Sequence, residues 1–488
     1  MAPAAITHLW RRRSPIVRTI FVICLGIVSF ILVVGSMGAR RDFRSISRLY
    51  TNWFNRLPPL YPQYAAEEVL LAQHNVSLSF PEGQDGRFIR FEDQMWGLGL
   101  NNQLFEILLN SEIALRSNRA YAFTPFIWDA IAEGNFVPLK SDTHLPAALP
   151  TKFRATRIPL RAIIQSPTSG EPWPIDHTPP PRAVSHKWYD QVCPWERRVV
   201  INTIETNERI GVNFDRDNVV VIIERWSAYL RNLNQSCVHI NWDAPRINDF
   251  RTMGDPALEQ LWPSFSTSPV MTAFRWSNIV YRAVEKNIRL LGLSSSPMRI
   301  EGRPNIGLIN PDVLTGLVTL HVRRQDFTAR SSQLSFLPDR LFIPHSASGS
   351  EEERAKLVFP RCWLEIDAIV QRLHSLRTEY SNASKRNDGK EGKREILLRK
   401  VHIATNGEPE WVDELKRALW RDGWGRMTST YDMDLDWEES GTPMDGAIDL
   451  EMATRGEVFV GNGFSTFTST TVSLRLVRGI PPNQTRFW

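Results

Sequence analysis

The sequence predicts an α/β protein of at least two domains, held to a membrane by one helix near its N-terminus. Three observations predict this. The chain has 488 residues, more than one ordinary hydrophobic core organises. Short apolar runs ending in polar or glycine-rich loops alternate with stretches of helical periodicity, the pattern of strand–loop–helix units. Finally, Ile20 to Gly38 carries no charge, and its 19 residues would rise ~28 Å as a helix, enough to cross a bilayer core.

The charge supports an anchor and excludes a basic nucleic-acid surface. The net charge is +5, but Arg11, Arg12, Arg13, Arg18, Arg40, Arg41, Arg44 and Arg48 against Asp42 put +7 in the first 48 residues. The rest of the chain, at −2, is slightly acidic, so nucleic-acid binding has no compositional support. A cleavable signal peptide is the rival to an anchor, but its apolar region is usually only about 7–15 residues long. We therefore expect a cytoplasmic tail at 1–15, a signal anchor at 16–38 and the remaining polar chain in the lumen of the Golgi or endoplasmic reticulum. Arginines flank the span on both sides, so the positive-inside rule does not choose the orientation. The bulk of polar chain on the C-terminal side does. Cys24 lies in the span. Cys193, Cys237 and Cys362 permit one internal disulfide, of which Cys193–Cys237 is one possibility. Asn75, Asn234, Asn382 and Asn483 begin glycosylation sequons.

Along the chain, residues 39–85 read as a stem, marked by Leu57-Pro58-Pro59-Leu60-Tyr61-Pro62. Arg87 to Phe91 opens the ordered part. Gly97-Leu98-Gly99-Leu100-Asn101-Asn102-Gln103 then leads into a helix with Leu104, Ile107, Leu108 and Leu115 on one face. Asn118-Arg119 closes it, and Ala120 to Phe123 is a strand. Pro146 to Pro181 is proline-rich and reads as a functional or mobile loop. Val199 to Ile201 and Val219 to Ile223 read as buried strands, and Asn278 to Leu293 as a helix. A second α/β unit begins near Asn305. Its strands are Leu317 to Val322, Lys400 to Asn406 and Val458 to Val460. Its helices carry Trp411, Leu415 and Leu419 on one face, and Ser469 to Arg478. Thr378 to Arg394 is highly charged and reads as a solvated insertion.

Two segments of this second unit point to chemistry. Leu317-Val318-Thr319-Leu320-His321-Val322-Arg323-Arg324-Gln325-Asp326-Phe327 is an apolar strand ending in two arginines and an acid. Ligands sit at the ends of such strands, and guanidinium donors match phosphate oxygens in geometry and charge. A surface turn with solvated charge is the plainer alternative. Val458 to Arg478 runs strand, glycine loop, Ser465-Thr466-Phe467, helix, which is the layout of an anion site at a helix N-terminus. An ordinary Ser/Thr N-cap has the same residue types.

Taken in order, these segments with His402-Ile403-Ala404-Thr405-Asn406 and the Gly97–Gln103 loop resemble the GDP-fucose protein O-fucosyltransferase family. They also resemble the wider inverting fucosyltransferases with a His-x-Arg-Arg-x-Asp motif. The resemblance covers roughly residues 90–130 and 300–478. It implies a GT-B fold, with a Rossmann-like acceptor lobe at 86–300 and a Rossmann-like nucleotide-sugar lobe at 301–488 facing across a cleft. It also implies transfer with inversion, GDP-fucose as donor, and neither metal nor cofactor. By position, Arg323 would grip the β-phosphate and Asn102 would stand at the reacting centre. Gly99, Asn101, His321, Arg324 and Asp326 would support the donor, Ser465 and Thr466 would bind phosphate, and Phe467 would pack near the base. Asp449, in Asp449-Leu450, would read guanine, because a carboxylate accepts from N1 and N2 together. A solvated acid at a helix start is its alternative.

The N-terminal loop departs from members that carry a glutamate base there. Glu92, Asp93 and Glu106 are the nearby acids. Two rival functions remain. One is a metal-dependent transferase using Asp432 and Asp434, which form an Asp-x-Asp pair. The other is a glycan-binding or scaffold protein on a transferase fold. As a transferase, its acceptor would be a protein or a glycan.

Overall fold

The structure is a computed structural model. It describes residues 61–92, 98–127, 136–138, 153–155, 157–175, 179–213, 217–241, 246–247, 258–293, 313–324, 363–387, 398–433, 444–463 and 465–488. The expected membrane span at 16–38 lies outside these. Among the described residues no helix is long and apolar enough to cross a membrane.

Two five-stranded sheets organise the molecule. The first contains β1 (Phe88–Phe91), β2 (Ala120–Phe123), β3 (Val184–Ser185), β4 (Arg198–Ile201) and β5 (Cys237–Ile240), in the order β3-β2-β1-β5-β4. The second contains β6 (Leu314–Val322), β7 (Lys400–Thr405), β8 (Met427–Ser429), β9 (Gly456–Gly461) and β10 (Thr485–Phe487), in the order β8-β7-β6-β9-β10. Every pairing within both sheets is parallel. In the second sheet the order reverses between β6 and β9. Ligands bind at such a switch point, outside the carboxyl ends of the strands. Both sequence segments singled out for phosphate binding, after β6 and after β9, flank this one switch point.

Strand alternation divides the second sheet into two faces. Val318, Leu320 and Val322 of β6, Val401 and Ile403 of β7, and Val458 and Val460 of β9 pack under α6 (Ile366–Asn387) and α7 (Pro409–Arg421). Leu317, Ala404 and Phe459 face the other way, into a core shared with α8 (Met444–Arg455), α9 (Thr466–Val477) and the first unit. That core includes Leu104 and Leu108 of α2 (Leu100–Arg116) and Ile279 and Val280 of α5 (Asn278–Ile288). Polar contacts reinforce it. Trp276 Nε1 donates to Glu451 at 3.0 Å, and Arg478 pairs with the same carboxylate at 2.7 Å. A disulfide joins Cys193, which caps α3 (His186–Val192), to Cys237 at the start of β5.

Several sequence expectations are corrected. Residues 61–85 are not stem. Pro62 starts α1 (Pro62–Val69), and Tyr61 and Tyr64 are buried in the first core. Proline suits the first turn of a helix, where its missing N–H costs nothing. Val219 to Ile223 is not a strand but the start of α4 (Val219–Asn232). Asn218 caps it by accepting from Val221 N, and Val219, Ile222, Ile223, Trp226 and Leu230 bury one face at helical spacing. Val199 and Val200 are exposed because β4 is an edge strand. Part of the proline-rich region is core, with Ile158, Leu160, Ile163 and Ile164 buried. The charged run from Thr378 continues α6 as far as Asn387.

Candidate functional site

Arg323 and Arg324 leave β6 on opposite sides. Arg324 is on the α6–α7 side and is buried. Its guanidinium lies between the rings of Trp363 and Trp411, 4.0 Å and 4.3 Å from their centroids. It donates to Leu364 O at 2.8 Å, and its backbone N–H donates to Asn406 Oδ1 at 2.8 Å. A Cβ at Gly407 would lie 3.2 Å from Arg324 Cγ and 2.9 Å from the Trp411 ring, so glycine is needed for this sandwich to close. Arg324, expected to support the donor, is clamped from both faces and serves the framework. A cavity of about 460 Å³ beside it, lined also by Glu365, Asp367, Trp411 and Arg417, opens on this outer side and not at the switch point.

Arg323, half-buried, keeps the side of His321, two residues earlier. Its charge acts on the His321 ring, whose pKa falls to about 3, chiefly through burial and then through Arg323. His321 is thus a neutral structural group. It stacks on Phe467 at 4.3 Å, and Nδ1 lies 3.3 Å from Thr468 Oγ1. This stack fastens the first turn of α9 to β6. The two rings expected at the donor, His321 and Phe467, are thus packed on each other inside the protein.

The glycine loop after β9 has a packing reason of its own. A Cβ at Gly461 would lie 2.6 Å from Thr468 Cγ2 and 2.7 Å from the Phe459 ring, so α9 approaches β9 only over glycine. Ser465 is the N-cap of α9 but makes no side-chain cap bond. Its hydroxyl is buried and makes no hydrogen bond among the described residues. Thr466 follows, half-buried, as the first helical residue. A buried hydroxyl beside free helix N–H groups is suited to an anionic oxygen.

Asp449 is not at a helix start. It is the sixth residue of α8 and is 5% exposed, which disposes of the solvated alternative. Its Oδ1 accepts from His402 Nε2 at 2.8 Å and its Oδ2 from Thr430 Oγ1 at 2.7 Å. His402 is in turn held by Thr428 Oγ1 at 3.0 Å from Nδ1. Each carboxylate oxygen has a second lone pair, so the group can still accept from a ligand. His402 and Asn406 account for the polar ends of the His-Ile-Ala-Thr-Asn segment: one orients Asp449, the other ties β6 to β7.

The first unit presents the start of α2 to the same region. Gly99 is its N-cap, with open space where a Cβ would stand. Asn101 and Asn102 lie half-buried in the first turn, and Asn101 Oδ1 makes no hydrogen bond among the described residues. A Cβ at Gly446, in the first turn of α8, would lie 3.5 Å from Leu100 Cδ2, so α2 and α8 meet at their N-termini. Of the nearby acids, Glu92 pairs with His239 at 2.6 Å and Glu106 is buried on α2, 3.9 Å from Arg246. Gly97, Asp93 and Asp326 lie outside the described residues. So does Asp434, while its partner Asp432 is bound by Lys416 and by Ser429 in a capping box. Among the described residues no cluster of three or more His, Cys, Asp or Glu side chains is placed to hold a metal ion.

Two aromatic residues had no signal in the sequence. β10 carries Phe487 to the carboxyl edge beside the glycine loop, where a Cβ at Gly463 would lie 3.7 Å from its ring. Trp488 follows, its backbone N–H donating to Gly461 O at 3.3 Å and its indole N–H to His321 O at 2.9 Å.

No protein-family profile and no curated protein matches the chain. Among solved structures it is similar to POFUT1 in complex with GDP-fucose, at 15% identity and a TM-score of 0.44, covering 82% of this chain and 97% of that one. POFUT1 in complex with GDP gives 14%, 0.44, 82% and 98%. A mutant of Arabidopsis thaliana FUT1 in complex with GDP gives 11%, 0.32, 88% and 76%. Likenesses this distant assign neither a family nor a residue role.

Proposed function

We propose that the protein is a membrane-anchored glycosyltransferase that moves fucose from GDP-fucose to a hydroxyl of a protein or glycan, with inversion and without a metal ion. The observation that carries this reading is the switch point between β6 and β9. There a strand-end arginine, an unmatched buried serine hydroxyl and the N-terminus of a twelve-residue helix flank one switch point. That chemistry suits a diphosphate. The motif resemblance supplies the guanine base and the fucose, and the two parallel sheets suit the GT-B arrangement it implies.

In this reading the acceptor oxygen attacks C1 of fucose as the bond from C1 to the β-phosphate oxygen breaks. GDP departs with the electron pair, and the proton of the acceptor hydroxyl passes to the departing phosphate or to solvent. Negative charge grows on the β-phosphate, and Arg323 with the α9 N-terminus offsets it, the part a divalent cation plays elsewhere. Asp449, oriented by His402 and Thr430, accepts from guanine. Asn102 stands at the reacting centre. The anchor is at 16–38, with the C-terminal region in the lumen of the Golgi or endoplasmic reticulum. The buried disulfide suits an oxidising compartment, and the asparagines of all four sequons are exposed.

Calorimetric titration with GDP and UDP, followed by turnover of GDP-fucose in EDTA, tests the reading. Tighter binding of UDP than of GDP refutes the guanine assignment, and loss of turnover in EDTA refutes metal independence.

A further inference from the structure

We infer that Phe487 forms the apolar wall against which the donor's 6-deoxy sugar packs, and so helps to select fucose over a sugar bearing a 6-hydroxyl. The inference rests on the donor reading above and extends it to the sugar end of the ligand.

Strand order provides the argument. In the strand order of the second sheet the groups occur in sequence: Asp449 over β7, held by His402 within that strand and by Thr430 just after β8, then Arg323 after β6, Ser465 and Thr466 after β9, and Phe487 on β10. From β7 to β10 is three strand spacings, about 14 Å at ~4.8 Å each. A nucleotide sugar lying along that edge, with its base at Asp449 and its diphosphate between β6 and β9, brings its sugar to the β10 end.

Phe487 is on the correct face. Gly461 pairs with Phe487, and Phe459 with Thr485. Thr485 accepts from Arg475 of α9 at 3.2 Å, which puts the alternate residue Phe487 on the α9 side, the side of His321. Its neighbours are tied down on the other side. Arg486 pairs with Glu379 of α6 at 2.8 Å, and Trp488 packs with the α6–α7 core. Phe487 is left 48% exposed at the loop.

The chemistry fits a 6-deoxyhexose. Its methyl group and apolar ring face gain from contact with an aromatic side chain. A 6-hydroxyl set against the same ring loses its hydrogen bonds to water without replacement.

The test uses the full chain in detergent, without acceptor. Calorimetry gives Kd for GDP, GDP-fucose and GDP-mannose with wild type, Phe487→Ala and Phe487→Leu. We expect Phe487→Ala to lose about tenfold for GDP-fucose, the scale of one missing apolar contact, with GDP unchanged. The preference for GDP-fucose over GDP-mannose should shrink, and Phe487→Leu should retain most of it. Equal weakening for GDP and GDP-fucose, or none for either, overturns the placement of Phe487 at the sugar. Absence of guanine-nucleotide binding by the wild type overturns the donor reading itself.

Discussion

The two adjacent arginines make the sharpest test, because the structure gives them different work. Replacing Arg324 by alanine removes two cation–π contacts, each about 0.5–2 kcal/mol. It also removes a charged hydrogen bond to Leu364 O worth about 1.5–3 kcal/mol. These share one side chain and do not simply add, so we take about 3 kcal/mol as the net loss. For a unit of 150–250 residues that lowers the unfolding midpoint by roughly 6–12 °C. Arg323→Ala should slow turnover about a hundredfold or more, as for loss of a preorganised donor to a developing oxyanion. Arg323→Lys keeps the charge but loses the bidentate fork, and should also fail. Differential scanning fluorimetry gives the first quantity, and GDP release from GDP-fucose at a temperature where all variants are folded gives the second. Near-normal turnover by folded Arg323→Ala would refute the site. An unchanged midpoint for Arg324→Ala would refute the framework role.

Three further outcomes are expected. Asp449→Asn should weaken GDP by tenfold or more in calorimetry, because the amide turns an N–H toward guanine donors and opposes His402 or Thr430. GDP affinity equal to wild type removes Asp449 from the base site. Glu68 is buried and accepts from Arg161 N at 3.1 Å, and burial raises its pKa to about 7. Between the ordinary glutamate value of 4.5 and about 7 the folded state therefore binds more protons than the unfolded one, and stability falls as pH rises across that window. Glu68→Gln should flatten this part of a midpoint-against-pH curve, and an unchanged slope rejects the assignment. Asn234 is exposed, so protein made in the secretory pathway should lose one glycosidase-sensitive mass step in Asn234→Gln. Digestion of the C-terminal region by protease in sealed microsomes contradicts a luminal placement.

The parts of the fold legible in the sequence are those with a local cause. β6 could be read because an apolar run stops at two arginines, and α2 because its leucines recur at helical spacing and Asn118, with φ 55°, turns the chain out of it. Val219 to Ile223 misled because five β-branched residues look like a strand. The deciding facts were the Asn218 cap and the later Trp226 and Leu230. Side-chain direction was less accessible. That two consecutive arginines part to opposite faces follows from alternation. That Arg324 ends between Trp363 and Trp411 follows from contacts 39 and 87 residues away in sequence. Phe467 sits in the expected loop yet turns inward, because Gly461 lets α9 lie close enough for the ring to stack on His321. Phe487 and Trp488 were unreadable because β10 has three residues, too few for a periodic signal, and its place is set by pairing with β9.

Hydrogen-bond satisfaction adds to residue type in reading the carboxyl edge of the second sheet. His321, Arg324, His402 and Phe467 are all polar or aromatic residues of the sort that bind ligands, and each is engaged by the protein on the sides that matter. Ser465 Oγ and Asn101 Oδ1 are modest groups by comparison. Yet both are buried without a hydrogen bond to any described residue, a condition that costs about 1–3 kcal/mol each when nothing else satisfies it. Both lie in the first turn or cap of a helix whose free N–H groups open at the carboxyl edge of a parallel sheet, one helix from each unit. α2 and α9 pack against each other, so these two openings belong to one region. Other buried groups far from this edge, Ser227 Oγ among them, also lack a described partner, so what distinguishes these two is their place beside the free N–H groups of helix starts.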